Sequence, residues 1–166
     1  MITEVENELF KEQKKSQTSA APVNMYQVEL IADDIDQSLS DKIRLHCTSV
    51  NTPAFMPNYD EEITCNPEFQ LKFTEFEDYA KYAYFLSKIT ALHKNGKENV
   101  SLPTLKITAC NKAGIPVLMW TIPDCEILEL SGLEFYKSNV DPVKFTVSLK
   151  GKRCDVEMCR AWHKSI

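Results

Sequence analysis

Apolar and polar residues begin to alternate in the stretch NMYQVEL, residues 24–30. Tyr26, Val28 and Leu30 are separated by polar neighbours, which is the period of a β-strand with one buried face. The pattern predicts a first strand over about residues 25–32.

Residues 1–23, which precede this strand, are rich in Glu, Lys, Gln, Ser and Thr and have no sustained period. Such a composition predicts an N-terminal arm that is mobile in the monomer. The arm carries a few apolar residues, among them Leu9 and Phe10, and we predict that it becomes ordered against a neighbouring subunit.

The same alternation recurs further along the chain and predicts further strands. These strands cover Ile43 to Cys47, Phe69 to Phe73, Leu105 to Ala109, the long run 115–130 and Val143 to Leu149. Asn111 to Gly114 predicts a tight hairpin turn, and Pro116 and Pro123 predict edge positions or bulges.

One segment changes to helical spacing. Thr74 precedes Glu77 by three positions, as in a capping box, and apolar residues then recur on one face. These apolar residues are Phe76, Tyr79, Ala80, Ala83, Leu86 and Ile89. We predict a helix over about residues 75–93 that packs this stripe on the core. The fold class is therefore mainly β, a sandwich or barrel with one flanking helix.

Residues 49–62 have two prolines and no period, which predicts a long exposed loop. The loop nevertheless carries Phe55, Met56 and Tyr59. Apolar residues on an irregular exposed loop indicate a partner surface, and the alternative is that the loop folds back on its own domain.

Composition limits the class of protein further. The 166 residues favour one domain of ordinary apolar content, and no apolar run approaches the roughly 18 residues of a membrane span. The first residues are acidic and lack an apolar signal segment, so we expect folding in a cytoplasm. A net charge of −5 without a basic patch argues against a dedicated nucleic-acid binder.

We predict no catalytic, cofactor-binding or metal-binding residues. The four glycines do not form a phosphate-binding loop, and the six cysteines and three histidines lack the spacing of a zinc site. An enzyme would need a Cys/His pair that only folding brings together, and we keep this as the remaining enzyme alternative.

The order of these elements resembles that of the tail tube proteins of contractile-tailed bacteriophages. The first strand NMYQVEL, the acidic helix start EFED at 75–78, the hairpin turn NKAGIP at 111–116 and the closing strand KFTVSL at 144–149 are each similar to the family pattern. The resemblance covers residues 24–150. It departs from the family at PNYDEEITCNPE, where the family has a glycine- and arginine-bearing segment, and after residue 150.

The resemblance implies a structural virion protein, in which hexameric rings stack into a tube and strands join into a continuous inner barrel. Tail sheath and baseplate proteins would be partners, and viral DNA would pass through the lumen without specific binding and without any membrane contact. The protein would reside in the virion tail, after assembly in the host cytoplasm. Residues 24–150 would form the tube domain, between the arm 1–23 and a C-terminal tail 151–166.

Two alternatives to the tube subunit stay open: a baseplate or tube-initiator protein of the same fold, and a generic β-sandwich binding module. The cysteines add one expectation. Cys47 lies on an apolar strand face and should be inert, whereas Cys65, Cys154 and Cys159 are candidates for disulfides between subunits after exposure to an oxidising medium. The alternative is that all six thiols are buried and reduced.

Overall fold

The computed structural model describes residues 25–56, 64–65, 68–96, 99–138 and 140–159. The strands are β1 Tyr26–Ile31, β2 Cys47–Val50, β3 Phe55–Met56, β4 Thr64–Cys65, β5 Glu68–Thr74, β6 Thr104–Cys110, β7 Pro116–Ile122, β8 Glu126–Leu130, β9 Lys144–Lys150 and β10 Asp155–Met158. The helices are α1 Gln37–His46 and α2 Ala80–Asn95.

Two antiparallel sheets of four strands form the frame of the protein. The first sheet has the order β1-β6-β7-β10, and the second has the order β2-β5-β9-β8. Strands β3 and β4 pair separately as a small ladder. The mainly β prediction is confirmed, and the described residues form two sheets rather than a closed barrel.

The core lies between the buried faces of these sheets and helix α2. Strands β5 and β9 alternate strictly, with every second residue buried, as half-buried strands should. The largest contributors are Val28, Leu30, Leu105, Ile107 and Ile122 from the first sheet, Phe69, Leu71, Phe73, Phe145, Val147 and Leu149 from the second, and Phe85 from the helix.

The strand predicted over Ile43 to Cys47 is wrong, because helix α1 continues to His46 and only Cys47 begins a strand. Asp36 caps the helix: its side chain accepts a hydrogen bond of 2.8 Å from the backbone N–H of Leu39. Leu39 is half-buried and Ile43 fully buried at helical spacing, whereas Leu45 is 72% exposed. Buried residues in this segment therefore recur every 3.6 positions, as in a helix, rather than every second position, as in a strand.

The predicted helix exists, but its start and its buried face differ from the prediction. It begins at Ala80 after Tyr79, which has a left-handed φ of 50° and makes no side-chain cap, so the capping box at Thr74 is not formed. Phe76 and Leu86 are about half exposed. The buried face consists instead of Lys81, Tyr84, Phe85 and Lys88.

The long run 115–130 divides between the sheets. Asp124, which has a left-handed φ of 52°, follows Pro123 and separates β7 of the first sheet from β8 of the second. Pro116 pairs with Cys110 at a break in the ladder register, so the bulge prediction at Pro116 is confirmed. The hairpin turn is also confirmed, because Gly114 adopts a φ of 78° that few other residues tolerate.

Glu75 and Lys81 form an ion pair at the start of helix α2, and neither side chain has any solvent exposure. Lys81 Nζ lies 2.9 Å from Glu75 Oε1. The carboxylate also accepts hydrogen bonds from the backbone N–H groups of Phe76, at 2.9 Å, and Tyr82, at 2.8 Å. The Glu75 carboxylate takes the place of the missing side-chain cap at Tyr82, because a carboxylate at a helix start satisfies N–H groups that lack partners.

Lys81 also connects the two helices. Its ammonium group lies 2.8 Å from Nδ1 of His46, the last residue of α1, and 5.2 Å from the centre of the Phe76 ring. The Phe76 ring stacks on His46 at 4.1 Å. Partial burial and the charge of Lys81 lower the pKa of His46 below its ordinary value of 6.5, although Glu75 and Asp78 act in the opposite direction.

Replacing Lys81 by Met should lower the free energy of unfolding by about 3–5 kcal/mol, because Glu75 would keep a buried charge without its partner. The matched control is Lys42→Met, which removes an exposed pair with Asp78 and should cost far less, because solvent screens exposed charges. Urea unfolding of both variants measures the difference. Equal losses would show that the buried pair has no special role.

Acidification should destabilise the protein through His46. The unfolded chain protonates His46 at its ordinary pKa, whereas the folded protein resists protonation, so stability is complete above about pH 6.5 and falls as the pH is lowered through the depressed pKa. His46→Gln, whose amide oxygen accepts the Lys81 hydrogen bond without titrating, should reduce this pH dependence of urea unfolding. A pH profile of His46→Gln identical to that of the unaltered protein would refute the assignment.

Candidate functional site

The sequence-predicted contact residues fall in two groups. Phe55 lies on β3 with 45% of its surface exposed, and β3 pairs with β4, so the predicted loop 49–62 contains one strand of a short ladder. Leu9, Phe10 and Tyr59, together with the side chain of Met56, lie outside the described residues. The structure therefore shows one of the five as an exposed aromatic residue available to a partner.

The outer strands of the two sheets are a candidate contact surface. Strands β1 and β10 are outermost in the first sheet, and β2 and β8 are outermost in the second. An outer strand has backbone N–H and C=O groups that its own sheet does not pair, and it can pair with another chain. Sequence reasoning did not find β10, because all four of its residues are exposed and show no burial period.

A groove of about 260 Å³ lies where β2 passes over the first sheet. Residues 48–50 and Thr52 line one side, and Tyr26, Ile107, Ala109 and Trp120 line the other. The Tyr26 hydroxyl donates a hydrogen bond of 3.1 Å to the carbonyl of Cys47 and so links the two sides. Burial raises the pKa of this hydroxyl. The groove is mostly apolar and has no charged residue in its lining.

A second, wider concavity of about 1010 Å³ lies between the connection that follows β8 and strands β2, β5 and β9. Phe135 and Tyr136 of this connection are 68% and 63% exposed. Lys72, Lys144, Glu134 and Asp141 give the concavity charges of both signs. Exposed aromatic residues beside mixed charges are typical of protein contact surfaces rather than of small-molecule sites.

The described cysteines differ in how far they are exposed to solvent. Cys47, Cys110 and Cys125 are buried, whereas Cys154 and Cys159 at the two ends of β10 are partly exposed. Burial raises the pKa of the Cys47 thiol to about 11 and that of Cys125 to about 12. A thiol with such a pKa is almost fully protonated near neutral pH and reacts slowly. The side chain of Cys65 lies outside the described residues.

The described residues contain no group of three or more His, Cys, Asp and Glu side chains that could hold a metal ion. None of the helices within the same part of the chain is long and apolar enough to cross a membrane.

No protein-family model matches the chain, and no curated protein matches its sequence. Solved structures do match its fold. A chain of the PVC sheath–tube complex, an extracellular contractile injection system in the extended state, superimposes with a TM-score of 0.59 at 14% identity, over 88% of this chain and 97% of that one. The tube-terminating cap of the anti-feeding prophage gives 0.58 at 15% identity, over 86% and 93%.

The anti-feeding prophage baseplate, in a 6-fold symmetrised structure, contains a further match with a TM-score of 0.55 at 10% identity, over 84% of this chain and 97% of that one. Each match spans nearly the whole length of the similar chain. The two sheets and helix α2 of this protein therefore constitute the tube-type fold of contractile injection systems.

Proposed function

We propose that the protein is a structural subunit of the tube of a contractile injection system, and that it assembles into stacked hexameric rings. The observation that carries the proposal is the fold match over 97% of a chain from a sheath–tube complex. The outer strands support it, because closing a ring would pair edges that a lone subunit leaves open.

Similar structures come from a sheath–tube complex, a cap and a baseplate, so sheath and baseplate proteins are the proposed partners. Strands from each subunit would join into a continuous inner barrel. In the phage version of this role, the tube would be the conduit for DNA ejection from a virion. The solvent face of the first sheet suits a conduit without specific DNA binding, since Glu29, Asp155 and Glu157 outnumber Lys106 there.

A cap, terminator or tube-initiator protein of the same fold is the second candidate function. The cap of the anti-feeding prophage matches with a TM-score of 0.58, almost equal to the 0.59 of the sheath–tube chain. Such a protein would form one ring at the end of a tube, whereas a tube subunit repeats along the whole tube. The two roles therefore differ in what the purified protein builds.

Concentrated, purified full-length protein should form rings that stack into tubes, and negative-stain electron microscopy measures this directly. Tubes of variable length identify a tube subunit, and single rings that do not stack identify a cap or initiator. A population that stays monomeric at every concentration would contradict both roles and would favour a β-sandwich binding module.

The cysteine proposal concerns particles after release from the cell. Cys65, Cys154 and Cys159 are proposed to form disulfides between adjacent subunits if their Cα atoms lie within about 7 Å. Non-reducing electrophoresis of released particles should then show a ladder that collapses with reductant. Cys154→Ser and Cys159→Ser should shorten the ladder, whereas Cys47→Ser should leave it intact. A single 19.0 kDa band in both lanes would remove the proposal.

A further inference from the structure

The second sheet covers the core-facing side of the first sheet at its β1 edge but leaves that side uncovered at its β10 edge. Residues at the same ladder position lie on the same face of a sheet. One such row runs from Val28 through Ile107 and Trp120 to Val156. Val28 and Ile107 are 0% and 2% exposed, Trp120 is half-buried, and Val156 is 41% exposed. The second sheet therefore covers β1 and β6 but not β10.

The next row repeats this gradient. It runs from Tyr26 through Ala109 and Leu118 to Met158, which is 41% exposed. Leu118, Trp120, Val156 and Met158 thus form a contiguous apolar surface, here called the β10 strip. The strip adjoins the groove beside β2, because Trp120 belongs to both. A continuous apolar surface of this kind marks a place where another segment binds.

The chain itself supplies a segment at the right place. The described residues begin at Met25, which lines the groove and whose carbonyl accepts a hydrogen bond of 2.8 Å from the N–H of Cys110. The arm therefore starts at the wall of the groove. A largely polar spacer, residues 11–24, separates Leu9 and Phe10 from Met25. This spacer can extend to roughly 45 Å.

The C-terminal residues 160–166 are the competing occupant, since they include Trp162 and Ile166. Met25 and Cys159, the first and last described residues, both lie at the end of the first sheet that carries the β6–β7 hairpin turn. The carbonyl of Met25 accepts from Cys110, and the N–H of Cys159 donates to the carbonyl of Val117 at 3.0 Å, so both residues lie at the hairpin end. Only Met25 of the two lines the groove. The arm is therefore the segment that is joined to the groove, and its longer spacer adds only a small closure entropy.

We propose that the groove and the β10 strip are the receptor for the N-terminal arm, with Leu9 and Phe10 as the apolar anchors. Docking would cover Trp120, Val156 and Met158 and remove their apolar surface from water. The proposal deepens the tube-subunit function by assigning the arm a receptor, but it does not depend on ring formation, because the contact is measured at Trp120 itself.

The test uses the full-length protein with Trp162→Phe, which leaves Trp120 as the only tryptophan. Leu9→Ser combined with Phe10→Ser should shift the Trp120 emission to longer wavelength and increase its quenching by acrylamide, because water would reach the ring. Val140→Ser, at a residue that is 99% exposed in a different connection, is the matched control and should change neither quantity.

Met158→Lys tests the receptor side at an exposed strand position, where misfolding is not expected. It should produce the same shift, and combining it with the arm substitutions should add nothing, because the three changes break one contact. An unchanged Trp120 emission in the arm variant would overturn the proposal. A shift obtained only when residues 160–166 are deleted would also overturn it, since the C-terminal segment would then be the occupant.

Discussion

The buried ion pair of Glu75 and Lys81 is the interaction on which the arrangement of the helices depends. Strand β5 ends at Thr74, and Glu75 at once supplies a carboxylate to two backbone N–H groups and to Lys81. Lys81 then binds His46 at the end of α1. One carboxylate thus determines where the second helix begins and where the first one ends against it. Removing either charge from this dry site leaves the other uncompensated.

Lys88 makes similar contacts, an ion pair and a hydrogen bond, two turns further along the same helix. Its ammonium group lies 2.6 Å from Asp34 and donates a hydrogen bond of 2.8 Å to the carbonyl of Ser101. Asp34 follows β1 and Ser101 precedes β6, so this lysine fixes α2 to the connections at one end of the first sheet. Between the two lysines, Phe85 enters the core against Phe73 and Phe145. The buried helix face is apolar at its centre and ionic at both ends.

This pattern explains which elements the sequence could predict. Strands β1, β5, β6 and β9 were predicted because their apolar residues alternate over five or more positions. The prediction of the buried face of α2 was wrong because its lysines were assumed to be exposed. Only the folded structure shows that Glu75 and Asp34 lie beside these lysines and allow them to be buried. The period of α1 was misread because Ile43 and Cys47 fit a strand and a helix equally well in so short a segment.

The candidate surfaces were harder to predict for a different reason. The sequence indicated an arm with apolar residues, but the groove beside β2 is made by Tyr26, Ile107 and Trp120 from strands that are distant in sequence. Strand β10 shows no alternation of buried and exposed residues, because it lies at a sheet edge that the second sheet does not cover. Both ends of the described chain therefore lie on outer strands of the same sheet, with β1 at one edge and β10 at the other. The two ends of the described chain are thus held at sheet edges, apart from the core that the second sheet and helix α2 cover.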